Sequence, residues 1–307
     1  MRYTPTVLAD LRGAHHHLKA PSDTPSAQRD PKVIETVSRM LSDIQARGLD
    51  AVLDYARQLD RFEGRDIELT RTQIEASGSR LPADLRAAIE LGSERTRAFA
   101  QATRDHLADF EIEPAPGVVT GVRYIPVGRV GAYLPAGRFP LTSSALMTVG
   151  VAKTAGVPSV IACTPPQPDG GPNHACLYAA YLSGVDRVFL LGGVQALAAM
   201  AYGLLDNQPI DMLVGAGNAF VAEAKRQLFG TVAIDLLAGP SEVAVIADET
   251  ADPDIVAADL LGQAEHGPDS PAALVTTSEE LGQAVIAAVE RQIPGLSTAS
   301  ICGPAWR

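Results

Sequence analysis

The sequence predicts an α/β protein with parallel β-structure covered by helices. Three observations carry this. From about residue 114 onward, short apolar runs alternate with segments of helical periodicity, the pattern of βαβ units. Ahead of them, roughly 30–110 reads as helix. The chain has 307 residues, 46% of them apolar, enough for a sizeable core and for two domains.

The elements follow in order. Residues 1–29 are polar and rich in Pro and Ser, so they read as a flexible tail in which His15, His16 and His17 are incidental. Asp30-Pro31 supplies an N-cap and a first-turn proline. Val33, Ile34, Val37, Leu41 and Ile44 then recur at helical spacing until Gly48. Leu49, Val52, Leu53, Ala56 and Leu59 repeat the pattern, and a third helix covers about 83–108 after Pro82. After Pro114 the texture changes. "VRYIPVGRVGAYLP" reads as strands and tight turns. Strand and helix then alternate through "SSALMTVGVAKTAGV", "SVIACTP", "HACLYAAYLSGV", "RVFLLGG", "VQALAAMAYGL", "DMLVGAG", "NAFVAEAKRQLFG" and "VAIDLLAG". A second α/β set follows in "EVAVIAD", "PDIVAADLLGQAEH", "AALVTTS" and "EELGQAVIAAVERQI". The chain then stops at "STASICGPAWR" with no evident closing element, which reads as a C-terminal truncation.

A formal net charge of −11 disfavours nucleic acid or an anionic membrane as a general partner. The N-terminal stretch holds no long apolar run, so neither a signal peptide nor a membrane span is expected. Cys163, Cys176 and Cys302 form no CxxC, which fits a reduced, cytoplasmic protein.

Ligands of open α/β sheets bind at the carboxyl ends of strands. Three such ends are rich in small residues: "LLGGVQA" with Gln195, "LVGAGNAF" with Asn218, and "LLAGPSE" with Ser241. In the second, Gly215-x-Gly217 opens a helix, and Asp235 ends the next strand twenty residues after Gly215. That imitates a dinucleotide fingerprint in which an acid binds a ribose hydroxyl. Phe220 stands where the third glycine belongs, so an ordinary βα turn is the competing reading. Ser241 is not in a GxSxG elbow, which leaves it as a turn residue capping local backbone. Tyr133 lies between a strand and a Gly-rich turn, where it can pack or meet a ligand. Gln263 and His266 sit at i and i+3 in "QAEHGPDS", on one face of a helix. They are either two arms of a metal or substrate site, or a helix end whose dipole favours His266.

Taken in order, "VGRVGAYLPAG", "ALMTVGVAKTAGV", "GGVQALAAMAYG", "VGAGNAFVAEAKRQLFG", "AIDLLAGPSEVAVIAD" and "DLLGQAEHGPDS" resemble the histidinol dehydrogenase family over about residues 30–307. The resemblance implies two related Rossmann-like domains, one inserted in the other: 30–125 plus 237–307, with 126–236 as the insert. It implies an NAD-dependent, zinc-containing homodimer that oxidises L-histidinol through an aldehyde to L-histidine. Carried onto this chain, Gln263 and His266 are implied as zinc ligands, Ser241 with them as substrate contacts, and Tyr133, Gln195 and Asn218 as NAD contacts. His266 must be neutral to bind a metal.

The family's catalytic Glu-His pair, and the Asp and His that complete its zinc site, belong to a region expected beyond Arg307. Proton-transfer groups of that kind contribute roughly 10²–10⁴ in rate. A chain without them is expected to be nearly inactive, to bind zinc weakly and to dimerise poorly. "LPAGRFPLTSSALMTVGVAK" and "VAEAKRQLFG" resemble a paralogous branch that includes dehydrogenases of dihydroxypropanesulfonate, which makes that sulfonate the alternative substrate. A truncated relative that only binds nucleotide is the non-enzymatic alternative.

Overall fold

The computed structural model describes residues 18–19, 30–64, 66–136, 141–237, 241–267 and 270–306. The three tail histidines, and Gly239, Pro240 and Pro268 of the turn motifs, lie outside these residues. Contacts divide the chain into Arg29–Gly239 and a second unit built on Pro240–Arg307.

In the first unit, helix α1 (Pro31–Arg47) starts where Asp30 Oδ1 accepts from Lys32 N at 2.8 Å. It buries Val37, Met40, Leu41 and Ile44 and ends at Gly48, whose φ of +66° favours glycine. Helix α2 (Leu49–Leu59) ends on Asp60. A short strand β1 (Glu68–Leu69) follows, then α3 (Arg71–Glu75), held by a reciprocal Thr70–Gln73 capping box. Helix α4 (Ala83–Asp105) is polar nearly all round and buries only Ile89. Strands β2 (Phe110–Ala115) and β3 (Val118–Val122) form an exposed antiparallel hairpin.

Strand β4 (Arg129–Tyr133) is buried throughout. It leads into α5 (Thr142–Ala145), a π turn (Leu146–Gly150) and α6 (Val151–Thr154). The alternation continues with β5 (Ser159–Thr164), α7 (His174–Leu182), β6 (Arg187–Leu190), α8 (Gly193–Ala201), β7 (Met212–Val214), α9 (Ala219–Leu228) and β8 (Ala233–Ile234). The strands build one sheet in the order β1-β6-β5-β4-β7-β8. All neighbours are parallel except β1, which runs antiparallel to β6. The α/β class and the parallel sheet therefore stand as the alternation predicts.

From β4 the chain first steps outward through β5 and β6, then crosses back to lay β7 and β8 on the other side of β4. The carboxyl end of β4 is thus the topological switch point, where open α/β sheets form a ligand crevice. Tyr133 is the last residue of that strand.

The core holds Val130, Val160, Ile161, Val188, Phe189 and Leu213 from the sheet, with helices on both sides. Burying each large aliphatic side chain stabilises the fold by about 1.5–3 kcal/mol. Helix α1 packs on α8 and α9, α2 on α8, and α4 on α7 and the π turn. The family-based reading joins 30–125 to 237–307, with 126–236 inserted. By contacts, Arg29–Gly239 forms one unit, because the apolar stripes of α1 and α2 close on helices of the sheet.

The second unit pairs β9 (Val243–Ala247) with β10 (Ala272–Thr276) in parallel, Val243 opposite Ala272. Helix α10 (Pro253–Ala264) is capped by Asp252, and α11 (Glu279–Gln292) by Ser278. The two helices pack together over Val256, Leu260, Leu261, Leu281, Val285 and Val289. The chain closes with α12 (Ala299–Trp306), a helix where the sequence shows no evident element. Cys302 on it is buried in this core. No helix among the described residues is long and apolar enough to cross a membrane.

Candidate functional site

From the switch point, the Tyr133 side chain reaches across to the turn after β6 that opens α8 and carries Gln195. The Gly193 N–H donates to the Tyr133 hydroxyl at 3.1 Å. The Gly192 N–H donates to Asp60 Oδ2 at 2.8 Å, and Gln195 Nε2 donates to the same oxygen at 2.9 Å. Gln195 is fully buried, and among the described residues its Oε1 has no partner. A buried acceptor left unmade costs about 1–3 kcal/mol, so this oxygen calls for a donor beyond the described protein atoms.

Backbone at this end of the sheet leaves no room for side chains. A Cβ on Gly192 would stand 2.6 Å from Asp60 Oδ1. Gly215 follows β7 with φ +118°, and a Cβ there would lie 2.4 Å from the Tyr133 carbonyl oxygen. Only glycine fits both demands at position 215.

The local electrostatics follow from burial. Burial raises the Asp60 carboxyl above the ordinary carboxylate range, against the opposing hydrogen bonds from Gly192 and Gln195. Burial pushes the Tyr133 phenol up to about 12, with the Asp60 charge adding to it. The hydroxyl is therefore neutral at physiological pH. It accepts from Gly193 and keeps its own proton to donate. Cys163, next to it on β5, is held as a thiol by burial and by Asp60.

Of the two readings of the apparent dinucleotide fingerprint, the contacts match the ordinary βα turn. Asp235 is not free for a ribose. Its Oδ2 accepts from Gly215 N at 2.8 Å, and its Oδ1 pairs with Lys225 and accepts from Leu236 N at 2.6 Å. Lys225 is fully buried and also donates to the Gly215 carbonyl at 2.6 Å. Lys225 and Asp235 thus clamp the β7–α9 turn. Within it Asn218 caps α9, its Oδ1 accepting from Phe220 N and Val221 N at 3.1 Å each. Its amide nitrogen is left as the donor a ligand could meet.

The second unit holds the remaining predicted residues. Gln263 is buried on the last turn of α10, and its Nε2 donates to the Ser241 carbonyl at 2.5 Å. That commits the amide nitrogen and turns Oε1 into the available acceptor. His266 is exposed, beyond the end of the helix. Its N–H donates to the Gln263 carbonyl at 3.1 Å, a tightened final turn. An amide oxygen and an imidazole are two donors, half of a tetrahedral zinc set. Among the described residues there is no group of three or more His, Cys, Asp or Glu placed to hold a metal.

Asp60 and Lys225 are absent from the sequence-based candidates. Asp60 reads as the solvated end of a helix, and Lys225 as part of a polar face. Only the pairing across 132 residues between Asp60 and Gly192 reveals the first.

A parallel sheet with a glycine-lined switch point defines the chain as a Rossmann-like α/β protein. The histidinol dehydrogenase family matches it over residues 24–307, and the chain belongs to that family. It is 48% identical over 275 residues to a histidinol dehydrogenase homolog of Shouchella clausii, covering 90% of this chain and 65% of the relative. It is 45% identical over 277 residues to the sulfopropanediol 3-dehydrogenase of Ruegeria pomeroyi, covering 90% and 63%. It is also 45% identical over 269 residues to a histidinol dehydrogenase of Xylella fastidiosa, covering 87% and 62%. The crystal structure of histidinol dehydrogenase from Elizabethkingia anophelis superposes with a TM-score of 0.83 at 35% identity, over 93% of this chain and 65% of that one. The chain thus spans somewhat less than two thirds of the length of these relatives.

Proposed function

We propose that this chain serves the NAD-dependent, zinc-dependent oxidation of a small polar alcohol, with L-histidinol as substrate. The observation that carries the proposal is the reach of Tyr133, from the switch point, to the α8 turn that carries Gln195, in a chain of this family. There Tyr133 offers a neutral hydroxyl donor, Gln195 a buried acceptor and Asn218 an amide donor, a polar set suited to the hydroxyls and amide of NAD. The cofactor takes the hydride, and the protein supplies position and electrostatics.

Gln263 Oε1 and His266 are the groups this chain offers a zinc ion. A bound zinc would polarise the alcohol oxygen as a Lewis acid. Ser241 fixes the Gln263 amide through its carbonyl and presents its hydroxyl beside it at 3.4 Å. Two protein donors hold a metal more weakly than the three or four of a complete site.

A second reading has its own support: the 45% identity to a sulfopropanediol 3-dehydrogenase equals that to a histidinol dehydrogenase. In it, the alcohol is dihydroxypropanesulfonate. We expect the chain to bind NAD⁺ saturably, and L-histidinol in a zinc-dependent way that His266→Ala abolishes. Calorimetric titration, with NADH absorbance followed in parallel, measures both. Binding of the sulfonate in place of L-histidinol would transfer the proposal to the second reading. A folded chain that takes up no NAD⁺ would overturn it.

A further inference from the structure

The dinucleotide fingerprint contains an acid for the ribose, yet Asp235, which has the spacing for it, is locked to Lys225 and Gly215. The carboxyl end of β6, two strands from the switch point, holds another carboxylate. Asp60 ends α2, is half-buried, and reaches the turn between β6 and α8. Its Oδ2 is fixed by Gly192 N and Gln195 Nε2. Among the described residues its Oδ1 has no hydrogen-bond partner, and it faces Gly192, where a side chain would collide with it. The carboxylate is therefore held rigidly with one oxygen open.

The same geometry says which part of a ligand can approach. Helix N-termini attract phosphates through free N–H groups and the helix dipole. At α8 the Gly192 and Gly193 N–H groups are already taken by Asp60 and by the Tyr133 hydroxyl. A fixed negative charge stands where a phosphate would have to sit. What remains is acceptor capacity: the open Asp60 oxygen and the buried, unpartnered Gln195 Oε1 beside Gly193. An open carboxylate oxygen suits hydroxyl donors and repels an anion.

We infer that Asp60 is the residue that binds the adenosine ribose hydroxyls of the dinucleotide and discriminates against a 2′-phosphate. The inference rests on the cofactor reading given above and adds to it the residue that selects between cofactors. Gln195 acts in part through Asp60, by fixing the rotation of its carboxylate. Burial disfavours the ionised Asp60, and hydroxyl donors offset part of that cost.

The test compares NAD⁺ and NADP⁺ affinity, by fluorescence quenching or calorimetry, for the 307-residue chain and two variants. Asp60→Asn keeps an oxygen that can accept from both Gly192 and Gln195, so the fold is retained, as a thermal melt checks. It should weaken NAD⁺ about tenfold, the loss of one good charged hydrogen bond. It should leave NADP⁺ unchanged or improved, so that the preference for NAD⁺ falls at least as much. Asp60→Glu keeps the charge and should keep the discrimination even if both affinities drop. An unchanged NAD⁺/NADP⁺ preference in Asp60→Asn overturns the assignment while leaving the cofactor reading intact. If the unaltered, folded chain binds neither dinucleotide, the cofactor reading fails and the assignment of Asp60 falls with it.

Discussion

The chain contains two pieces of parallel β-structure with similar sequences and different environments. In the first, β5 is apolar along its length and covered on both faces, so that Val160, Ile161 and Ala162 are all fully buried. In the second, β9 and β10 are just as apolar, but their residues alternate between half-buried and exposed. Helices α10 and α11 cover one face through Val245 and Leu274. On the other, Ile246 is 84% exposed and faces Val275 across the strands. A continuous apolar run is what parallel strands need for burial on both sides. It does not secure that burial. Helices packed on each face do.

Four experiments press on this contrast, the largest expected effect first. Ile161→Ala should destabilise the first unit by about 2–5 kcal/mol, whereas Ile246→Ala should change stability by less than about 0.5 kcal/mol. Urea unfolding of both variants measures the difference. Equal losses would mean that the outer face of β9 is covered in solution.

Lys225→Ala tests the clamp that holds the β7–α9 turn of the first unit. It leaves Asp235 and the Gly215 carbonyl without their buried partner. The cost should lie at the lower end of the about 3–5 kcal/mol typical of broken buried pairs, because Asp235 is 26% exposed. Lys225→Ala together with Asp235→Asn should recover part of that loss. A double variant no more stable than the single one would show that the packing of the lysine stem, and not its charge, holds the turn.

Tyr133→Phe removes the acceptor of the Gly193 N–H and should cost about 1 kcal/mol. The same substitution should slow no proton transfer that depends on a tyrosinate, because the phenol, at about 12, is neutral across the working pH range. A variant activity profile that changes only at pH 7–9 would contradict this.

The smallest effect concerns pH. Asp60 has a raised pKa in the folded state, so ionising it there is less favourable than in the unfolded chain. By linkage, stability is lost as pH rises through the carboxylate range, from the unfolded value up through the raised folded one. Asp60→Asn should therefore match the parent below that window and be the more stable of the two above it. Thermal melts from pH 3 to pH 8 read this directly, and a variant less stable than the parent at pH 7 would reverse the sign.

Much of the candidate site was legible in the sequence, and in a particular way. Tyr133, Gln195 and Asn218 stand in Gly-rich turns after apolar runs, and turn chemistry is local. The structure puts all three at carboxyl ends of strands β4, β6 and β7. Gln263 and Ser241 are joined by a hydrogen bond across 22 residues, which their order alone did not foretell. Asp235 has two readings in the sequence, a ribose-binding acid or part of an ordinary βα turn, and a lysine ten residues earlier in the chain takes it. Asp60 was invisible, because an aspartate after a helix is the commonest of surface residues until something distant donates to it.

The amino-acid sequence by itself determined the alternation of strands and helices, the caps at Asp30, Asp252 and Ser278, and the glycine turns, because these depend on neighbours a few residues apart. Tertiary structure decided the rest. It chose β4 as the switch point, assigned α1 and α2 to the sheet that follows them, turned Asp235 inward to Lys225 and left Asp60 with an open oxygen. Each of those outcomes depends on which groups meet across tens to more than a hundred residues, and whether a carboxylate is a clamp or a binding group is settled only by the donors that reach it first.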